Sequence, residues 1–357
     1  MPLDAEKRAS CSHARSIWDM PRPENATEIV LTGGPCAGKT TIVSRLVNEL
    51  SGQGVRVLTS PEVASMLFTG GVDDIRIIKV SEPGRYEQIE AQIMLLQGDM
   101  RRRYRELAAA FAPDPVCVIY DRAEMDAVSY LKPGRGDLIL RHHGSSLPEV
   151  RNSYTTVIHL RTAARVSDRH YDLNNPARQE GARGALQADQ RTMEAWLGHP
   201  DFWIVEAQQD FELKVDRALA IARRSLGIQG SVPARSFRLR SAPDPALVPD
   251  SPRIGLRLFR SGGHKALERR EAGTVGFYLS RGSGPWREIN ADLFARLSEG
   301  VQEENWLRVP FVFSSRHFSL DHNPENKDWV LRTDVIEPGE MVALPDFLEI
   351  KKEISED

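Results

Sequence analysis

Residues 28–41 read Glu28-Ile-Val-Leu-Thr-Gly-Gly-Pro-Cys-Ala-Gly-Lys-Thr-Thr41, and this stretch decides the fold of the first half of the chain. Gly33 to Thr40 match the phosphate-binding loop pattern G-x-x-x-x-G-K-[ST]. An apolar run that is typical of a strand enters the loop, and an amphipathic run with helical spacing leaves it. Glycines let the backbone curl around a phosphate chain, which also meets the positive end of the new helix. The stretch therefore predicts binding of a nucleoside triphosphate.

Within this loop each residue has a predicted role. Lys39 is expected to reach the terminal phosphates, and the Thr40 hydroxyl is expected to lie on Mg²⁺. Cys36 is either a small residue that fills the turn or a redox-sensitive thiol. The predicted nucleotide-binding residues are Gly33, Gly34, Pro35, Cys36, Ala37, Gly38, Lys39, Thr40 and Thr41.

Length and composition limit the other function classes. The 357 residues exceed a single domain of about 100–200 residues, so two domains are expected. The formal net charge of −3 gives no general attraction to nucleic acid, which is not expected as a partner. The three cysteines suggest reduced thiols, and residues 1–22 lack the apolar core of a secretory signal. We expect a cytoplasmic protein, with any membrane association peripheral and dependent on a local basic patch.

The first domain is predicted to span residues 27–227, after a disordered lead-in at 1–26. Short β runs alternate with helical stretches, which indicates an α/β P-loop NTPase domain with a parallel sheet and helices on both faces. The strand candidates are 28–32, 55–59, 116–120, 156–160 and 202–206. The helix candidates are 39–51, 61–69, 83–112, 124–130, 183–197 and 210–226.

A Pro- and Gly-rich stretch at 228–253 is predicted to be a linker. It encloses one short strand, Ser236–Arg240, which could join the second domain. Residues 254–357 are predicted to form a mainly antiparallel β domain with a helix at 290–300. Its strand candidates are 254–260, 274–281, 308–313, 316–321, 329–335 and 346–354.

Two carboxylates follow the predicted strand at 116–120. Asp121 ends an apolar run in the manner of a Walker B strand and is expected to hold Mg²⁺ beside Thr40. The other interpretation of Asp121 is a solvated residue at a strand end. Asp126 could face the same site, or could be an acidic residue that the helix dipole favours at a helix start.

Further candidates for catalysis lie at Glu62 and in the arginine-rich segment 161–183. Glu62 follows the second strand, where a carboxylate could orient or deprotonate an acceptor, but it could equally be a first-turn Glu after a proline. Arginines of a lid over the phosphates would stabilise the transferred charge, although a charged surface helix would look similar. The predicted catalytic residues are Lys39, Glu62, Asp121, Arg165, Arg169 and Arg178.

Several motifs together resemble one known family. Several segments resemble the first half of the TRPL translocation defect protein 14 family: the loop, Asp121-Arg122 with Asp126, and residues 171–178, 189–200 and 210–214. Residues 311–321 and 344–355 are similar to the CYTH-like domain of that family. The resemblance implies an AAA-type P-loop domain joined to a triphosphate-tunnel-like β domain. It also implies GTP and phosphatidic acid binding and a role in trafficking for the characterised relative.

The second domain carries many basic residues on its predicted strands. In a barrel alternate residues face the lumen, so these residues could line an anion-binding tunnel. Solvent-facing residues of an antiparallel sheet alternate in the same way. Arg308, Arg316 and Arg332 add further positive charge. The predicted anion-binding residues are Arg238, Arg240, Arg257, Arg269, Arg281 and Lys351, but the Glu-x-Glu-x-Lys signature of CYTH phosphatases is absent at the domain start.

Two functions therefore remain open at the level of sequence. The first is Mg²⁺-dependent binding of ATP or GTP with slow hydrolysis or phosphoryl transfer to a small molecule, while the β domain binds a polyanion or an anionic lipid. The second is a non-catalytic, GTP-dependent phospholipid-binding protein of trafficking or regulation. An inorganic triphosphatase is a third alternative, weakened by the missing signature. No N-K-x-D motif identifies the base.

Overall fold

The computed structural model describes residues 20–72, 75–166, 182–230, 232, 234–282 and 286–355. The first domain is built on a five-stranded parallel sheet with the order β2-β3-β1-β4-β5. The α/β fold expected from the sequence is confirmed. Its strands are β1 (Ala26–Thr32), β2 (Arg56–Ser60), β3 (Val116–Asp121), β4 (Thr156–Leu160) and β5 (Phe202–Val205).

Helices cover both faces of this sheet. On β1, Val30 points into one apolar core, whereas Ile29 and Leu31 point into the other, because successive side chains of a strand alternate. The helices are α1 (Lys39–Ser51), α2 (Val63–Thr69), α3 (Ile75–Ser81), α4 (Pro83–Ala110), α5 (Glu124–Val128), α6 (Arg135–His142), α7 (Leu147–Asn152), α8 (Ala182–Trp196) and α9 (Phe211–Ser225). A 3₁₀ turn spans Ala163–Arg165. No helix within the described ranges is long and apolar enough to cross a membrane.

The second domain is a nine-stranded sheet with the order β10-β9-β8-β7-β11-β12-β13-β6-β14. Every strand pairing in it is antiparallel, as the sequence predicts. The strands are β6 (Arg235–Leu239), β7 (Ile254–Ser261), β8 (His264–Glu271), β9 (Thr274–Arg281), β10 (Arg287–Ile289), β11 (Glu303–Phe313), β12 (Arg316–His322), β13 (Trp329–Thr333) and β14 (Ile350–Ile354). One helix, α10 (Ala291–Ser298), packs on β8 and β9.

The structure differs from the sequence-based elements in several places. Helices α3, α6 and α7 and strands β8 and β10 are absent from the predicted set, and the strand predicted at 346–354 begins only at Ile350. Strand β6, from the predicted linker, pairs with both β13 and β14 and so belongs to the second sheet. In the predicted lead-in, Asn25 donates hydrogen bonds to the carbonyls of Ala108 and Asp114, which ties this end to the sheet.

Buried polar contacts join the two domains. Arg151 of α7 pairs with Glu271 of β8, and Arg269 of the same strand donates to Glu271 (3.0 Å) and to the Gly198 carbonyl. The rings of Phe202 on β5 and His317 on β12 lie 5.6 Å apart in an edge-on arrangement. The end of α8 and the start of β5 therefore face the second sheet.

Candidate functional site

The phosphate-binding loop leaves the carboxyl end of β1 and enters α1. Gly33 has a φ of 138°, and a Cβ there would lie 2.1 Å from the Leu160 carbonyl oxygen. Gly38 has a φ of 81°, and a Cβ there would lie 2.6 Å from the Phe211 ring. Both positions favour glycine because their φ angles are positive, where a side chain is strained. At Gly33 an added Cβ would also clash with the backbone of Leu160.

Lys39 is buried beneath the loop that it terminates. Its ammonium donates to the carbonyls of Gly33 (3.1 Å) and Gly34 (3.0 Å). Burial lowers the pKa of Lys39 to about 8, with the Arg122 charge adding to the shift. The group is still mainly cationic at pH 7 and lies where a loop-bound phosphate chain would meet it. Thr40, by contrast, is exposed at the start of α1.

Asp121 has the surroundings of a metal ligand. It ends β3 beside Leu31 of β1, at the edge of the sheet from which the loop emerges. Its Oδ1 atom is buried and has no hydrogen-bond partner in the described part of the chain. Burial raises the pKa of this carboxyl, and the Lys39 charge opposes the rise.

The residues present fit Mg²⁺ at this edge. The ion prefers hard oxygen ligands and usually takes one or two protein groups together with waters and phosphates. An orphaned carboxylate oxygen of Asp121 and the hydroxyl of Thr40 supply that set. Among the described residues there is no cluster of three or more His, Cys, Asp or Glu side chains suited to a metal, so a site made by protein ligands alone is not seen there.

Glu62 is held by Arg122 instead of standing open. The Arg122 Nε donates to Glu62 Oε1 at 2.5 Å, and Ser65 Oγ donates to Oε2 at 2.6 Å. Burial alone would raise the pKa of Glu62, but the Arg122 and Lys39 charges outweigh it and lower the pKa to about 2. Glu62 is therefore an ionised acceptor of hydrogen bonds and a weak proton acceptor.

Arg122 connects Glu62 to the loop, and the sequence reasoning gave it no role. It has a φ of 71°, in the left-handed region, directly after β3. Its Nη1 donates to the Gly33 carbonyl and to Asp126 Oδ1, both at 3.1 Å. Its position next to the Walker B Asp was the only signal in the sequence.

Asp126 serves the packing of this region. Its Oδ1 accepts from Thr32 Oγ1 (2.7 Å) and from Arg122, and its Oδ2 accepts from the Ala123 amide and Trp196 Nε1 (both 3.1 Å). The carboxylate is buried, with 1% of the residue exposed. Asp126 lies in the first turn of α5 and, through Arg122, also faces the loop, so its two interpretations do not exclude each other.

The lid candidates can be described only in part. Arg165 lies in the 3₁₀ turn after β4, where it pairs with Glu206 at 3.0 Å. The amide of Ala163 in the same turn donates to the Cys36 carbonyl, so the turn touches the loop. Arg169 and Arg178 lie outside the described residues.

Asp189 on α8 is a second buried residue at the loop that sequence reasoning did not identify. Its Oδ1 accepts from the amides of Gly34 (3.1 Å) and Thr162 (3.2 Å), and lies 3.2 Å from His159 Nε2. Burial alone would raise the pKa of Asp189, but His159 and Arg161 outweigh it and lower the pKa. The signal available was the motif at 189–200, whose first residue is this Asp.

A cavity of about 550 Å³ lies between the two domains. Residues 198–201 and Arg224 of the first domain line one side, and the second sheet lines the rest. The sheet contributes apolar side chains and the rings of Trp286 and Trp306. Its cationic lining residues are Arg260, Lys265, Arg269, Arg308 and Arg332.

Acidic residues balance part of this charge. Asp321 receives both Arg308 (2.7 Å) and Arg332 (2.8 Å), and Glu304 receives Arg260 (3.1 Å). Burial lowers the pKa of Lys265, and the nearby charges of Arg260 and Arg332 lower it further. Lys265, Arg260 and Arg332 thus line the same cavity, and the charges of the two arginines act on Lys265.

Of the six anion-binding residues predicted from the sequence, Arg269 lines this cavity. The other five do not line it. Arg238 pairs with Asp328, and Arg240 donates to the Ile350 carbonyl. Arg257 pairs with Glu268 and Glu303, whereas Arg281 and Lys351 are exposed. On β7 the residues that face the cavity are Ile254, Leu256, Leu258 and Arg260, the opposite face from Arg257.

Comparison with known families decides the class of the first domain. A family model described as an AAA domain matches residues 28–214, which is more than half of the chain. The chain belongs to the AAA domain family. The matched range of this AAA domain starts in β1 and ends at Lys214 of α9.

Similarity to solved structures is weaker. The inorganic triphosphatase NE1496 has 15% sequence identity and a TM-score of 0.25, over 36% of this chain and 89% of that chain. A NadR protein in complex with NR has 15% identity and a TM-score of 0.41, over 57% of this chain and 52% of that chain, so the chain spans about half the length of that protein. No curated protein matches the sequence.

Proposed function

We propose that the protein binds ATP or GTP with Mg²⁺ at the loop of its AAA domain and transfers the γ-phosphoryl group to a small molecule or, slowly, to water. The observation that carries this proposal is the convergence of Lys39, Asp121 and the Glu62–Arg122 pair at the ends of three adjacent strands. Family membership supports the nucleotide part. The reaction is our inference from the side chains.

Each group has a defined task in such a reaction. Lys39 would exchange its two loop carbonyls for phosphate oxygens, and Thr40 with Asp121 would hold the metal. Bound Mg²⁺ would neutralise charge on the phosphates. Arg122 lies beside both Glu62 and the loop, where its charge would stabilise the transferred group.

Glu62 suits orientation of the acceptor better than deprotonation. A carboxylate whose pKa is about 2 takes a proton poorly, but it accepts a hydrogen bond from a hydroxyl group. Because phosphoryl transfer passes through a loose transition state, positioning of the attacking oxygen is the larger requirement. Each carboxylate oxygen can accept two hydrogen bonds, so an acceptor hydroxyl would bind beside Ser65 or Arg122 at one of them.

The hydrogen bonds that Glu62 accepts from Arg122 and Ser65 also fit a second candidate function. Each Glu62 oxygen already has one donor, Arg122 or Ser65, so the carboxylate also has a purely structural role that needs no acceptor. A protein without an acceptor would bind nucleotide and turn it over negligibly. This corresponds to the non-catalytic, GTP-dependent phospholipid-binding protein implied by the resemblance to the TRPL translocation defect protein 14 family.

We further infer that the interdomain cavity takes a polyanion such as a phosphorylated small molecule or the headgroup of an anionic lipid. The support is the group of cations around Lys265, together with two tryptophan rings that could cover an apolar portion of the ligand. The basic residues predicted from strand alternation are replaced in this proposal by those that line the cavity.

The deciding experiment is nucleotide turnover with ATP and GTP, with and without Mg²⁺, in the presence of a pool of small hydroxyl compounds. The wild type is compared with Lys39→Ala and Glu62→Gln, and Glu82→Gln serves as a control on an exposed pair. If the protein is a kinase, Lys39→Ala abolishes nucleotide binding. Glu62→Gln keeps the nucleotide affinity and lowers the rate of phosphoryl transfer about a hundredfold. Tight binding without turnover, lost only in Lys39→Ala, would leave the second candidate.

A further inference from the structure

Lys214 is a buried lysine next to the loop that the proposed reaction does not use. It lies in the first turn of α9, and only 3% of the residue is exposed. Its Nζ donates to the Ala37 carbonyl at 2.7 Å and to the Arg161 carbonyl at 2.6 Å. Burial lowers its pKa to about 8, so at pH 7 it is still mainly an ammonium group.

The contact with Ala37 fixes the direction of a loop amide. In a planar trans peptide the carbonyl of one residue and the N–H of the next point to opposite sides. The only cis peptide bond found among the described residues is Ala112–Pro113, so the Ala37–Gly38 bond is trans. With the Ala37 carbonyl turned toward Lys214, the Gly38 N–H points away from Lys214.

The neighbouring carbonyls are held in a similar way. Thr162 Oγ1 donates to the Pro35 carbonyl at 2.5 Å, and the Ala163 amide donates to the Cys36 carbonyl at 3.3 Å. These donors all come from α9 or from the segment after β4, outside the loop. The next carbonyl, Gly38, accepts from Ile42 in α1. Hydrogen-bond donors from outside the loop thus hold its backbone in place through its carbonyl groups.

A lysine is suited to this task for two reasons. Its ammonium group can serve two carbonyls at once, and charge-assisted bonds are stronger than neutral ones. Its charge also adds to the positive potential of a site that would receive a phosphate chain. An apolar residue of the same length would leave both carbonyls without this donor.

We propose that Lys214 is a positioning residue that presets the loop amides, the Gly38 N–H above all, toward the phosphates of a bound nucleotide. Thr162 assists it through the Pro35 carbonyl. The inference rests on the nucleotide binding proposed above. The residue touches no substrate, and its effect is transmitted through the peptide plane that it holds.

The test measures the affinities of wild type, Lys214→Met and Thr162→Val for a nucleoside and for its mono-, di- and triphosphate. Lys79→Met is the matched control, since Lys79 lies over the Tyr86 ring on the surface of the same domain. In Lys214→Met the affinity for di- and triphosphate falls about ten- to a hundredfold while the nucleoside is unaffected. The ³¹P resonance of the bound β-phosphate should shift as well.

A purely structural role predicts something different, namely a lower melting temperature with the same fractional loss for every ligand of the series. That result, or unchanged diphosphate affinity, would overturn the inference. If Lys214→Met does not fold, Thr162→Val decides by the same two criteria, because it removes one donor and no charge. Wild-type protein that binds no nucleotide would overturn the proposed function and this inference together, whereas binding lost in Lys39→Ala alone overturns only the inference.

Discussion

The carboxyl group of Glu90 on α4 is hydrogen-bonded to Tyr86, and 6% of the residue is exposed. Burial raises its pKa to about 7, against the opposing effects of Tyr86, Lys79 and Arg122. The folded protein therefore binds this proton more tightly than the unfolded chain does. The stability that this contributes is complete below the unfolded pKa of about 4.5 and is lost as the pH rises through 7.

The upward direction of this pKa shift gives a prediction for Glu90→Gln, whose neutral amide can still accept a hydrogen bond from Tyr86. At pH 5 the variant should unfold with nearly the free energy of the wild type. At pH 8 it should be more stable by about 3 kcal/mol, because the wild type must bury a charge there. Urea unfolding at the two pH values measures the difference, with Glu106→Gln as the control on the exposed part of the same helix. A variant less stable than wild type at pH 8 would contradict the assignment.

At the scale of secondary structure elements, the sequence predicted the first domain better than the second. The strands of the parallel sheet are short apolar runs, so all five could be located. Six helices could be located as well, whereas α3, α6 and α7 are six to eight residues long and were missed. Strand β8 reads His264-Lys-Ala-Leu-Glu-Arg-Arg-Glu271, a composition that favours a helix. Its strand conformation depends on pairing with β7 and β9 through two tight turns, 262–263 and 272–273, whose residues all have positive φ.

The residues of the candidate site also differ in how well a local sequence pattern predicts them. The loop lysine and glycines, Thr40 and Asp121 follow from a local pattern, so they were predictable. Asp189, Lys214 and Thr162 reach the loop from positions more than 100 residues away. The family resemblance covers the segments of Asp189 and Lys214, but a motif does not show that its side chains contact the loop. The cavity residues depend on which face of each strand is turned inward, and a shift of one residue exchanges the faces, as Arg257 and Arg260 illustrate.

Asp126 supplies the prediction at this scale, because it ties β1, α5 and α8 together. Each of its oxygens accepts two hydrogen bonds, so an Asn at this position turns a donor toward two donors whichever way the amide lies. Asp126→Asn should lower the free energy of unfolding by about 2–4 kcal/mol. Asp137→Asn, on an exposed pair of α6, should change it by less than about 1 kcal/mol. Chemical denaturation of both variants measures this, and equal small losses would show that Asp126 is not a packing node.

At the scale of the whole molecule, the main feature is the interdomain cavity, which residues of both domains line. Its walls include the turn between α8 and β5, Arg224 of α9, and strands β7, β8, β9, β11, β12 and β13. Arg269 lines it and also donates to the Gly198 carbonyl of the first domain. A ligand in this space would contact both domains and should stabilise the folded chain in proportion to its concentration.

Tripolyphosphate is a suitable probe of this cavity, and Lys39→Ala is the suitable background because it silences the loop site. In that background the probe should bind and raise the melting temperature. Adding Lys265→Met should weaken binding about tenfold, since it removes one of the cations that line the cavity. Adding Lys351→Met should leave the affinity unchanged, because Lys351 is exposed on β14, away from the cavity. Calorimetric titration of the three proteins separates the alternatives. Equal losses of affinity in both double variants would mean that the anion binds through diffuse surface charge. A loss of affinity only with Lys351→Met would favour the anion-binding residues predicted from strand alternation.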